Sequence, residues 1–215
     1  MTYHHRVVKR SYDGSRRQAA AQETRRAIMD AAAKLFVDPG YPGARMGDIA
    51  KLAGVAAPTV TAHFGSKKGL LSAVLDVSIA GDDEPVPLSQ RSFVDDINAL
   101  PTAREKLERY GAELAQTLAR VADVKLAIEN AAAVDADAAA ILAKNNDEQL
   151  HGMTMFATGL IATGEVRSDL GVEEVVSVLV LAMGVRNYDW LVRQRGFSAD
   201  GFVRWYVDSV AGVIL

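Results

Sequence analysis

Between positions 45 and 67 lie Arg45, Ala57, Pro58, Thr59, Thr61, His63 and Lys67, side chains suited to reading a nucleic-acid duplex. An arginine can bond a guanine edge through two parallel N–H groups, a contact worth about 1–3 kcal/mol of discrimination where it is used. Arg45 either makes that contact, pairs with a phosphate or is solvated. Alanine and threonine methyls fit a thymine methyl, and threonine hydroxyls meet bases or phosphates. His63 reads as a phosphate contact or a packed residue rather than a base reader. Lys67 reads as a phosphate contact at the start of a helix, where the dipole also favours an anion. This chemistry binds and does not transform. His4, His5, His63 and His151 show no metal-ligand spacing beyond the adjacent pair, and the chain has no cysteine. No G-x-S-x-G, Walker loop or dinucleotide fingerprint appears. No catalytic residue, metal site or cofactor is expected.

The frame that must hold these side chains is legible around them. Residues 48–67 read D-I-A-K-L-A-G-V-A-A-P-T-V-T-A-H-F-G-S-K. Ile49, Leu52 and Ala53 follow helical spacing, and so do Val60 and Phe64. Gly54 stands where the first helix must stop, because glycine enters the left-handed region without a Cβ clash. Pro58 falls in the first turn of the next helix, where a missing N–H does no harm. Two short helices joined by a tight glycine turn form a helix-turn-helix, whose shape fits the DNA major groove. A helix over 22–37, carrying Ile28, Ala32, Leu35 and Phe36 on one face, precedes it and ends at the D-P-G-Y-P-G turn of 38–43. Ser66 is the expected N-cap of a further helix to about residue 80.

Net charge is −3 over 215 residues, and this hides an asymmetry. Residues 1–70 hold 12 Lys/Arg against 5 Asp/Glu, a net of +7, and residues 71–215 hold 12 against 22, a net of −10. One module that meets a polyanion and one that does not is the implied division. The expected domains are a basic arm over 1–20, a DNA-binding unit over 21–68 and a ligand-binding and dimerisation unit over 69–215. Arg6, Lys9, Arg10, Arg16 and Arg17 of the arm track the DNA backbone or minor groove, or the arm is simply disordered. The longest apolar run, 175–185, includes Ser177 and Gly184 and suits a buried helix better than a membrane span. The charged N-terminus does not read as a secretory signal. A cytoplasmic protein without membrane contact is expected.

After a loop at 81–87, periodicity predicts helices over 102–119, 121–133, 137–162, 172–195 and 199–214, giving an all-α architecture of about nine helices with no strand. Leu142, Leu150, Met153, Ala157 and Leu160 form one expected stripe. Leu107, Tyr110, Leu114, Leu126, Met153, Phe156, Met183 and Tyr188 fall on predicted inner faces and could line a mostly apolar pocket; for any single residue, ordinary core packing is the simpler reading. Asn146 interrupts an apolar stripe and needs a polar partner, whether ligand, helix or water. The last two helices are apolar on more than one face, through Val175, Leu179, Trp190, Phe202, Trp205, Tyr206 and Val210. A helix apolar all round is buried on both sides, and a symmetric dimer seam is the expected second side.

The segment 24–71 resembles the DNA-binding domain of the tetracycline-repressor (TetR) family. The resemblance rests on A-x-x-L-F at 32–36, then G-Y, D-I-A, A-G-V, P-T-V, H-F and S-K-K-G-L, in order and without gaps. It implies a homodimeric repressor of a near-palindromic operator, released from double-stranded DNA when a small molecule enters the C-terminal domain. Two positions depart from the family pattern. Thr61 stands where an aromatic phosphate contact is usual, and Gly47 where an arginine is common; Arg45 offers a replacement charge. A small-molecule-binding protein with a vestigial helix-turn-helix is the alternative. An α-helical enzyme is disfavoured, because no catalytic constellation is visible.

Overall fold

The structure, a computed structural model, describes the backbone from residue 12 and side chains from residue 16 to the last residue, Leu215. No strand occurs among the described residues. The N-terminal unit comprises α1 (Tyr12–Leu35), α2 (Met46–Leu52), α3 (Ala57–Phe64) and α4 (Lys67–Ala80). An irregular turn, Phe36–Gly40, in which Asp38 is extended at φ −140° and ψ 114°, joins α1 to the loop before α2. Ile28, Ala32, Phe36, Tyr41, Ile49, Val60, Leu70 and Leu71 are buried together between these helices. Residues 12–20, expected as part of an arm, are the first turns of α1 instead. The rest of that arm, with Arg6, Lys9 and Arg10, lies outside the described residues.

The C-terminal unit is built on α6 (Ala103–Ala132), a 30-residue helix that packs against α4, α7 (Ala136–Ile161) and α10 (Ala199–Ile214). Thr102 and Glu105 start it with a reciprocal capping box. The expected interruption near residue 120 does not occur. Leu118, Val121 and Ala122 keep one buried register, no glycine or proline intervenes, and Arg120 is exposed beside that face. Its guanidinium reaches back to the Ser78 and Ile79 carbonyls at the end of α4. A short helix that periodicity did not reveal, α5 (Ser92–Ala99), docks on α6 through buried Ile97. Eight residues with one buried position carry too little pattern to be read alone. Lys106, itself buried, donates to the Ile97 and Asn98 carbonyls and so caps α5.

The helix expected over 172–195 is broken. α8 (Val172–Ala182) ends at Met183, Gly184 takes an extended ψ of 136°, and α9 (Val185–Tyr188) continues into π-type turns over Asp189–Gln194. Asn187 Nδ2 donates to the Leu181 and Ala182 carbonyls that the break frees. The segment 172–194 is long and apolar enough to cross a membrane by length and composition alone. Here α8 packs on α7 and α10, and α9 on α6. On α7 the expected stripe needs one correction: Met153, Ala157 and Leu160 are buried, but Leu150 is exposed, and Ala138 and Ile141 take the inner positions.

Candidate nucleic-acid interface and effector core

The helix-turn-helix forms where the residues dictate it. Ile49 and Val60 are fully buried and fix the inner faces of α2 and α3. Gly54 has φ +70°, so the chain reverses there without a Cβ penalty. Ala56 is extended before α3, and Pro58 sits in its first turn. The outer face then presents Ala57, Pro58 and Thr61 exposed and Thr59 half-buried, with Arg45 exposed at the N-cap of α2. His63 is half-buried with its ring 6.0 Å from that of Phe64. The structure therefore places these residues along one short helix and the start of its predecessor.

Lys67 is tied down more than the sequence suggested. Its Nζ lies 4.3 Å from the Tyr41 ring centroid and donates to the Pro42 carbonyl at 3.4 Å. Burial lowers its pKa, against the opposing pull of Asp135 and Asp137. Burial, reinforced by the same two carboxylates, pushes the Tyr41 phenol up to about 12. Asp137 also pairs with Lys68 at 3.2 Å. The corner between α6 and α7 thus sits against the start of α4. Asp135 is the N-cap of α7 and accepts from the Asp137 and Ala138 amides, which holds the corner rigid.

Arg25 was missed by sequence reading. Its guanidinium lies 4.7 Å over the Phe64 ring, and its Nε donates to Asp83 at 2.6 Å, so one side chain joins α1, α3 and the loop after α4. The signal was present: Arg25 lies three and seven residues before Ile28 and Ala32, on the same helical face. In that loop Asp82 takes a bidentate contact from Arg91, which holds its carboxyl down to about 2. The pairing stabilises the loop above the ordinary carboxylate range and is lost as pH falls through about 2.

In the C-terminal unit the expected pocket residues divide. Leu107, Leu114, Met153 and Tyr188 are buried, and Leu126 is half-buried against the core. Tyr110 stacks on Phe156 with centroids 4.8 Å apart, and its hydroxyl donates to Met183 Sδ at 3.8 Å. Tyr188 belongs to a separate aromatic group, edge-on to Phe202 at 5.2 Å. Asn146 is not part of the inner stripe. It is exposed, beside a shallow groove of about 300 Å³ shared with Asp147, Gln149, Leu150 and Val180. Its side-chain oxygen accepts from Lys125 at 3.5 Å, and that half-buried lysine, whose pKa burial lowers, also donates to the neighbouring Asn145.

Tyr206, expected on a dimer seam, is instead fully buried within the chain, with its ring 6.0 Å from that of Tyr110. Its hydroxyl has no hydrogen-bond partner among the described residues, a state that costs about 1–3 kcal/mol. Val175, Leu179, Phe202 and Val210 are likewise fully buried inside one chain, so no partner can reach them. They face inward because α8 and α10 pack on each other and on the long helices α7 and α6. Trp205 is half-buried, and Trp190 remains 54% exposed. The outward apolar residues of this end are Leu181, 74% exposed, with Val172, Val213 and Leu215.

An exposed short helix behind a glycine turn, on a continuous helical core, defines a helix-turn-helix regulator architecture. Residues 28–74 match the family model for bacterial regulatory proteins of the tetR family. The HTH-type transcriptional activator FasR of Mycolicibacterium smegmatis is 30% identical over 172 residues, covering 75% of this chain and 78% of that one. Among solved structures, the fatty acid degradation regulator FadR of Bacillus halodurans aligns with a TM-score of 0.70 at 19% identity, over 88% of this chain and 95% of that one. The regulator FadR of Bacillus subtilis, in complex with stearoyl-CoA, aligns with a TM-score of 0.66 at 20% identity, over 88% and 98%. The likeness to the two solved structures shows the fold. The chain belongs to the TetR family of bacterial regulatory proteins and is a DNA-binding transcriptional regulator.

Proposed function

We propose that the chain acts as a homodimeric repressor in the cytoplasm, binding a near-palindromic operator through residues 21–68 and releasing it when a small apolar effector enters the unit at 69–215. The observation that carries the reading is the corner at Asp135 and Asp137. Asp137 pairs with Lys68, and both carboxylates act electrostatically on Lys67 and Tyr41, so the corner is coupled to the start of α4, directly after the recognition helix. Effector release follows if the ligand binds more tightly to the arrangement whose recognition helices miss successive major grooves. Two such helices must lie about 34–36 Å apart, or a little more, for adjacent half-sites. The partner surface is the outward set Leu181, Trp190, Val213 and Leu215, not the residues buried behind it.

Selection of bound sequences from random duplex DNA at near-physiological salt tests the reading. A near-palindromic motif supports it. Recovery of no motif moves the binding protein with a vestigial helix-turn-helix ahead. Two substitutions sharpen the result. Lys67→Ala is expected to weaken selected and random duplexes alike, about tenfold, and to reduce the salt slope by about one. Thr59→Ala is expected to change base preference at one position of each half-site by about 1 kcal/mol or more. Equal effects of both substitutions on selected and random DNA would contradict the assignment. The opposite sign, activation, is supported by the 30% identical FasR, a transcriptional activator. A reporter placed downstream of the selected motif separates the two by whether loss of the regulator raises or lowers expression.

A further inference from the structure

We infer that the Tyr206 hydroxyl, with Tyr110 beside it, is the polar anchor of the effector site, and that the effector is an uncharged, ring-bearing apolar molecule presenting a carbonyl-type oxygen there. The inference rests on the reading of 69–215 as an effector domain.

Tyr206 is fully buried and its hydroxyl is unpartnered among the described residues. The ring packs against α6 in the space left by Gly111, where a Cβ would lie only 3.2 Å from its Cδ1. The neighbouring hydroxyl of Tyr110 has only a thioether as acceptor, a weak partner that a carbonyl oxygen would displace. Two phenolic donors therefore stand within one aromatic cluster with almost no acceptor between them.

The walls define the rest of the ligand. Tyr110 and Phe156 already stack nearly parallel, at 27°, and present flat apolar faces. Gly152 and Gly159 flank Phe156 on the same side of α7, and a Cβ at either would meet nothing within 4 Å.

Charge is excluded by what surrounds the phenols. Burial alone raises the Tyr110 pKa, and burial followed by Tyr110 raises that of Tyr206, with no ionised side chain contributing. Lys106, one turn before Tyr110, spends its ammonium on the α5 carbonyls. A carboxylate or ammonium brought to the pair would enter without a counter-charge.

The test uses the full chain and three probes: the neutral ketone 6-propionyl-2-(dimethylamino)naphthalene, the ketone-free 2-(dimethylamino)naphthalene, and stearate. The ketone is expected to bind about tenfold more tightly than its ketone-free analogue. Tyr206→Phe should remove that advantage, weakening the ketone about tenfold and leaving the analogue within twofold. The melting temperature of unliganded Tyr206→Phe should stay level or rise, because an unpaired hydroxyl is gone. Binding of no naphthalene, equal loss of both, or tighter binding of stearate that ignores the substitution overturns the inference. So does a lower melting temperature with unchanged ketone binding, which would make the hydroxyl a structural group bridged by water. Anisotropy with a duplex carrying the selected motif is measured in parallel. Intact DNA binding without ketone binding overturns the anchor alone, whereas loss of sequence-selective DNA binding in the unsubstituted chain overturns the regulator reading itself.

Discussion

Gly69→Ala is expected to lower the melting temperature by about 10 °C and to abolish specific DNA binding. A Cβ at position 69 would lie 2.3 Å from the Phe64 carbonyl oxygen, and that oxygen is backbone. No side-chain rotation relieves the overlap, so α3 and α4 must move apart. The cost falls near the upper end of overpacking, about 3 kcal/mol, and a chain of this size loses about 2–4 °C per kcal/mol. The movement also strains the bond from the Gly69 amide to the Ser66 hydroxyl, 3.1 Å long, that caps α4. Because α3 carries Ala57, Pro58, Thr59 and Thr61, its displacement removes the proposed reading face as well as stability. Gly47→Ala is the control. A Cβ there meets nothing within 4 Å in the same unit, so stability should hold or rise by about 0.5 kcal/mol. Thermal unfolding of both variants decides the matter, and equal stability of the two would refute the close-approach argument.

Leu181→Asp combined with Val213→Asp is expected to convert the proposed dimer to monomer and to reduce affinity for a two-half-site duplex by about 100-fold or more. Leu181 is 74% exposed and Val213 44% exposed in the single chain, so neither substitution disturbs the monomer's own core. Each places a charge where an apolar partner face is proposed, and a buried unpaired carboxylate is strongly disfavoured. The two half-sites then bind independently, and the gain from a tethered second contact disappears. Sedimentation at micromolar protein reads the oligomeric state, and fluorescence anisotropy reads the DNA affinity. A double variant that stays dimeric shows that the seam lies elsewhere. Val175→Asp or Phe202→Asp would not serve, because both residues are fully buried inside the chain and their loss unfolds it.

The recognition unit was the most legible part of the sequence. Gly54, Pro58, Ser66 and the apolar spacing of Ile49, Val60 and Phe64 act over a few residues, and their effects on φ, capping and helix register are nearly independent of what packs elsewhere. The same local rules correctly located α7 and α10. They failed at α5, which is too short to carry a period, and at Gly184, where an apolar run concealed a break. Joining of α6 across residue 120 was missed for the converse reason, since an exposed charged residue inside a helix looks like the end of one.

The inner and outer faces of apolar helices were beyond local reading. Val175, Leu179, Phe202, Tyr206 and Val210 are equally apolar whether they meet a partner or their own chain, so the sequence established that they are buried and not what buries them. Only the packing of α8 and α10 on each other and on the long helices α7 and α6 turned these five inward and left Leu181 and Trp190 outside. The unpartnered Tyr206 hydroxyl, and the contact of Asp137 with Lys68 across nearly seventy residues, are likewise products of tertiary structure. By itself the sequence determined that the chain is helical and where the helix-turn-helix bends, because these follow from backbone conformation and periodicity. Which groups meet inside the second domain was decided by packing, because residues far apart in the chain carry no local signal of one another.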